Sequence, residues 1–144
     1  MSTWRRGDAV VDTDRDRLDI AMMHAFLTRS YWARGRTLEE LRVAVDHSLP
    51  FGVYLGERQV GFARVVTDRL TFAYIADVFV VDTERGRGLG SFLMECVTGH
   101  EELSRVRMWT LFTRDAHGLY RRFGFGPLQG ERFERFMIRE RGAA

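Results

Sequence analysis

Apolar residues recur along this chain in two periods. Leu18, Ala21, Met22, Ala25 and Phe26 stand three or four apart, which lays them on one helix face through about Thr28. Thr13-Asp14-Arg15-Asp16 ahead of them reads as a capping-box variant. A second helix is predicted from Thr37-Leu38-Glu39-Glu40, a better capping box, to about Ser48. The pattern then shortens to strands. Phe51 to Leu55 and Gln59 to Val66 flank Gly56-Glu57-Arg58 as a hairpin, and Thr71 to Val81 is a long apolar strand. A helix from about Gly88 to Gly99, a strand near Arg107 to Thr113, a short helix over Asp115 to Phe123 and a last strand at Arg135 to Arg139 complete the series. Ala9 to Val11 is a short opening strand, and Pro50 closes the helical region. Pattern alone predicts a mixed α and β protein.

Composition adds limits. The 144 residues, 45% of them apolar and without repeat or linker, suit one domain with one core over 1–144. All 22 basic residues are arginines, set against 20 acidic ones, and they interleave with Asp and Glu as in Asp12-Thr13-Asp14-Arg15-Asp16-Arg17. That is a solvated surface and argues against nucleic acid as a partner. The lone Cys96 excludes an internal disulfide and a thiolate-rich metal site, so no metal is expected. With no long apolar run and no signal-peptide pattern, no membrane contact is expected, and a cytoplasmic location is.

The chemistry is announced between Asp77 and Met94. An apolar strand runs into Glu84-Arg85-Gly86-Arg87-Gly88-Leu89-Gly90-Ser91 and then an amphipathic helix. Glycines let the backbone approach a ligand, and a helix N-terminus offers unpaired N–H groups with partial positive charge, a setting for phosphate. A P-loop needs Gly-Lys-Ser/Thr, and this chain has no lysine; a dinucleotide fingerprint needs a third glycine where Ser91 stands. Arg85-x-x-Gly88-x-Gly90 after an apolar strand resembles instead the acyl-CoA motif of the GNAT superfamily of N-acetyltransferases. A second stretch fits the same pattern, with Ala116, Tyr120, Gly124 and Phe125 at the family's spacing and Thr113 where many members carry asparagine.

The resemblance implies an α/β fold, a mostly antiparallel sheet splayed at a cofactor wedge and flanked by helices. It implies acetyl-CoA as cosubstrate, with the main chain of Phe79 and Val80 pairing with pantetheine. The N–H groups from Arg85 through Gly86, Arg87, Gly88 and Leu89 to Gly90 would hold the pyrophosphate, Arg85 and Arg87 would add charge, and Thr113 would stand at a pantetheine contact. An N–H near Val80 would meet the oxyanion, and Tyr120 would protonate the leaving thiolate. Cys96, predicted buried, offers no covalent route. Asp77 is the one acidic residue in the apolar run Phe72 to Val81, and is either a base, a holder of a cationic amine or a partner for an arginine. His117 is the rival base. Tyr31, Trp32, Tyr74 and Trp109 are candidates for an aromatic acceptor site suited to cations, or else core.

The activity expected is N-acetylation of a primary amine, such as a small amine, an amino-acid-like compound or a peptide, by direct attack. The alternative is a non-catalytic CoA-binding sensor or interaction domain. The Phe133, Phe136, Met137 and Ile138 cluster suits a homodimer interface or core packing.

Overall fold

Sheet order in this protein follows chain order, which leaves one crossover to explain. A computed structural model describes residues 1–142. Strands β1 (Thr3–Arg6), β2 (Ala9–Asp12), β3 (Leu49–Leu55), β4 (Arg58–Thr67), β5 (Phe72–Val80) and β6 (Met108–Leu111) form one sheet in the order β1-β2-β3-β4-β5-β6. Every neighbouring pair is antiparallel except β5 and β6, which are parallel. A parallel pair needs a long crossover, and helix α3 (Leu89–Thr98) supplies it. Helices α1 (Ile20–Leu27) and α2 (Leu38–Asp46) cover the other face; α4 (His117–Arg121) and α5 (Gly130–Arg135) follow β6.

The two faces carry separate cores. Phe51, Val53, Ala63 and Val65 pack with Leu93, Met94 and Val97 of α3, while Phe62 and Phe79 join Met23, Leu27, Leu41 and Val45 of α1 and α2. Period-two alternation on β4, with Phe62 to one side and Ala63 and Val65 to the other, is what allows a helix layer on each face.

Three sequence expectations are corrected. The turn Gly7-Asp8, with Gly7 at φ 59°, folds Thr3–Arg6 back as β1, a strand the pattern did not reveal. The helix expected after Thr13 is delayed. The Thr13 hydroxyl accepts the Ser2 N–H, Asp14 caps only a three-residue 3-10 turn, and Asp19 caps α1 through Met22 N–H at 3.0 Å. Third, no strand follows β6 among the described residues. Gly130–Arg135 is helical, with Glu131 and Arg135 paired one turn apart at 3.7 Å, and Phe133, Met137 and Ile138 are exposed, so this cluster is not core. The capping box at Thr37 and Glu40 forms as its spacing predicts, with both reciprocal hydrogen bonds present.

Candidate active site

The site exists because β5 and β6 part company. They pair from Phe72–Met108 to Ile75–Leu111, where β6 ends, while β5 runs on to Val80. Beyond Ile75 the β6-side edge of β5 has no strand beside it among the described residues. A bulge increases the divergence. Phe62 pairs with Phe79 and Arg64 with Ala76, so Asp77 and Val78 together oppose Ala63. Asp77 takes the left-handed conformation, φ 55°, which aspartate tolerates better than most residues.

Two clefts open along this wedge and meet. One, of about 670 Å³, is walled by Phe26, Val78, Phe79, Val80, Arg85 and Gly90, with Leu119 and Tyr120 across from them. The other, of about 460 Å³, is walled by Arg36, Arg64, Tyr74, Asp77, Phe112 and Thr113. Tyr31, Trp32, Asp115 and Tyr120 line both. Tyr120 is 7% exposed, and burial pushes its hydroxyl up to about 12, so it stays protonated at neutral pH.

At the first cleft the loop after β5 ends in Gly88, the N-cap of α3. Gly86 and Gly88 sit at φ 81° and 75°, where a side chain is strained whatever the space around it. The first intrahelical bond is Phe92 N–H to Gly88 C=O, which leaves the N–H groups of Leu89, Gly90 and Ser91 without a helical partner. A Cβ at Gly90 would stand 3.7 Å from Leu119, an ordinary contact, so the fold by itself does not require that glycine. Open N–H groups, left-handed glycines and a bare strand edge suit a phosphate-bearing acyl carrier. Arg85 lines this cleft and pairs with Asp82 at 3.0 Å. Arg87 is engaged elsewhere, 2.7 Å from Glu84 and 3.1 Å from Asp8.

The second cleft is built from side chains. Asp77 is 4% exposed and both of its oxygens accept hydrogen bonds. Oδ1 accepts from Trp32 Nε1 at 3.0 Å, and Oδ2 from Arg36 Nη1 at 2.5 Å and Arg64 Nε at 2.6 Å. Burial works to raise its pKa, but the charges and hydrogen bonds of Arg64 and Arg36 together outweigh it and hold the carboxyl below the ordinary aspartate range. Tyr31 accepts the Arg114 N–H at 3.1 Å, and the Arg114 guanidinium lies 3.8 Å from the Tyr31 ring centroid. Tyr74 meets Phe112 edge-on at 6.0 Å. The Thr113 hydroxyl is taken up by the Ala116 N–H at 3.0 Å, fixing the entry to α4.

The structure thus brings together Tyr31, Trp32, Tyr74, Asp77, Thr113 and Tyr120, and along the adjoining cleft Phe79, Val80, Arg85 and Gly90. Trp109 is not among them. It lines a separate groove with Phe123, Phe125 and Phe136, because in register with Ala73 it packs toward the α3 side of the sheet. His117 is exposed and lines neither cleft. Cys96 is buried with its thiol pushed up to about 12 by burial. Arg36, Arg64, Arg114 and Asp115 were missed. Arg64 carried a signal, a lone charge inside the apolar run Val60 to Val66; the other three stand in polar segments that look like any solvated loop.

Comparison with known proteins agrees with this geometry. Residues 43–127 match the acetyltransferase (GNAT) domain family. An acetyltransferase assigned to the GNAT family from Xanthomonas campestris pv. campestris superposes with a TM-score of 0.87 at 44% identity, over 92% of both chains. A Gibberella zeae protein named as an acetyltransferase is 29% identical over 131 residues, covering 74% of each chain. A Clostridium acetobutylicum protein solved with acetyl-CoA shares the fold, with a TM-score of 0.66 at 13% identity over 92% of this chain and 96% of that one. The family match over more than half of the chain and the 44% identical structure together place this chain in the GNAT acetyltransferase family.

Proposed function

We propose that this protein transfers an acetyl group from acetyl-CoA to a primary amine by direct attack. The observation that carries the reading is the meeting of the two clefts at a buried, protonated tyrosine. The glycine turn, the open N–H groups of α3 and Arg85 hold the pyrophosphate, and the free edge of β5 at Phe79 and Val80 pairs with pantetheine. The Clostridium neighbour, solved with acetyl-CoA, supports the choice of donor. Acetyl-CoA supplies the thioester; the chain supplies position and protons.

Tyr120 donates its proton to the departing thiolate. Its raised pKa suits an acid that must be protonated at neutral pH and resists ionising on its own. Asp77, which carries two guanidiniums and an indole N–H, is a poor base, and we assign it the task of organising Arg36, Arg64 and Trp32. The exposed carboxylate that lines both clefts, Asp115, takes the proton from the amine. Cys96 takes no part, since a buried, protonated thiol is neither reachable nor nucleophilic. The sensor alternative predicts the same binding without turnover.

The test pairs calorimetric titration of acetyl-CoA with an assay of thiol release over a panel of amines. One-site binding with amine-dependent thiol release is the expected result. Binding without release from any amine would favour the sensor, and no binding by folded protein would overturn the reading.

A further inference from the structure

The second cleft holds more positive charge than it can neutralise. Arg36, Arg64 and Arg114 line it against Asp77 and Asp115, and the one buried carboxylate, Asp77, is shared by two of the arginines. Those two are largely withdrawn from water, with side chains 21% and 13% exposed. Two cations on one anion leave a net charge in a half-closed site, where it is costly until a counter-ion arrives. Donors are free to receive it. Arg64 uses Nε on Asp77 and Nη1 on Ser48 Oγ, and Arg36 uses Nη1; among the described residues the remaining N–H groups of both guanidiniums have no acceptor.

We infer that the acceptor is a primary amine bearing a carboxylate, an amino acid or close analogue, whose carboxylate binds the Arg36–Arg64 pair while its amine faces Tyr120. This rests on the acetyltransferase reading and narrows its substrate class. The guanidinium fork matches a carboxylate in shape and charge. Asp77 fixes both arginines, and it does so from a bulged, left-handed position that breaks the regular strand alternation. Tyr74 and Phe112 provide an apolar wall for the rest of the molecule. A polyamine, which an all-aromatic cleft would welcome, meets three arginines against two carboxylates here and is disfavoured.

The experiment has a binding arm and a turnover arm, both on the intact wild-type chain. In the first, N-acetyl amino acids, their C-terminal amides and the corresponding N-acetyl decarboxylated amines are titrated calorimetrically in the presence of CoA. The carboxylates are expected to bind roughly ten- to a hundredfold more tightly, as for hydrogen bonds to charged groups. In the second, thiol release from acetyl-CoA is measured with the free amino acids, amides and amines. The same ratio is expected in kcat/KM, and Arg36→Gln, in the partly exposed loop, should bring acid and amide close to parity in both arms. Parity or no binding in the wild type overturns the anionic acceptor site. Thiol release without carboxylate preference overturns it too and leaves the acetyltransferase reading standing. Carboxylate-selective binding with no thiol release from any acceptor keeps the site and overturns the reading.

Discussion

The two clefts that meet at Tyr120 are made by opposite means. The first cleft takes one wall from a continuous stretch, Val78 to Gly90, that is mostly backbone: a bare strand edge, two left-handed glycines and the first N–H groups of α3, with Phe26, Leu119 and Tyr120 completing it. The second cleft is made of side chains gathered from the α1–α2 connector, β4, β5 and the segment after β6, with Arg36, Arg64, Asp77 and Arg114 brought together from distant positions. A site made of main chain tolerates change in side chains and fails when the backbone cannot take its shape. A site made of charges tolerates backbone variation and fails when one charge is lost.

That contrast can be broken at its most demanding point first. Gly88→Glu forces a negatively charged residue with a side chain into φ 75° at the N-terminus of α3, where the ligand's phosphates would lie. Acetyl-CoA affinity should fall at least roughly a hundredfold by calorimetry, from strain and like-charge repulsion together.

Asp77→Asn tests the acceptor side. Asparagine keeps the left-handed backbone but leaves Arg36 and Arg64 without their anion, and removing one member of a buried ion pair costs about 3 kcal/mol or more. Denaturant titration should show that loss at neutral pH. Because the folded carboxyl titrates below its unfolded value, its contribution is whole above the ordinary aspartate range and disappears as pH falls through the folded pKa. Wild type and variant should therefore converge in acid, and a constant gap down to the lowest pH tolerated would show that the charge is not the cause.

Tyr120→Phe sits where the two sides meet and should lower kcat roughly 10- to 100-fold with KM little altered, the lower part of what general acids supply. With its hydroxyl at about 12, Tyr120 should produce no falling limb in kcat below about pH 10, since it must be protonated to donate and remains so. A limb near pH 8 that vanished in the Phe variant would contradict the buried setting. The smallest effect belongs to Arg87→Gln. Arg87 is tied at the surface to Glu84 and Asp8, so acetyl-CoA affinity should stay within about fivefold of wild type, whereas Arg85→Gln should cost more.

The difference between the clefts also explains what could be read in advance. The glycine turn of the first cleft was legible because its parts are neighbours in sequence. Glycine at a turn, arginine beside it and an apolar strand before it keep their spacing however the rest of the chain folds. Tyr120 was legible through its spacing to Gly124 and Phe125. In the second cleft the aromatic rings advertise themselves in sequence, while an arginine in a polar segment does not. Trp109 and Tyr74 lie on neighbouring strands, yet Tyr74 reaches the cleft and Trp109 faces the groove beside Phe123; a one-residue step on a pleated strand reverses a side chain's face.

By itself the sequence determined most of the local elements and the glycine turn ahead of α3, since helix caps, glycine φ angles and hydrophobic period act over a few residues. It also carried the marks of its family. Tertiary structure decided the charge of the acceptor cleft. Whether Asp77 meets an amine, a water or two guanidiniums depends on how the bulge in β5 turns it and on where the α1–α2 connector sets Arg36 and Trp32. Tertiary structure also decided the fate of Phe136 to Ile138, apolar enough for a strand but given no partner among the described residues. Long-range pairing is a property of the assembled sheet, because a strand needs another strand's hydrogen bonds, and no run of residues carries those alone.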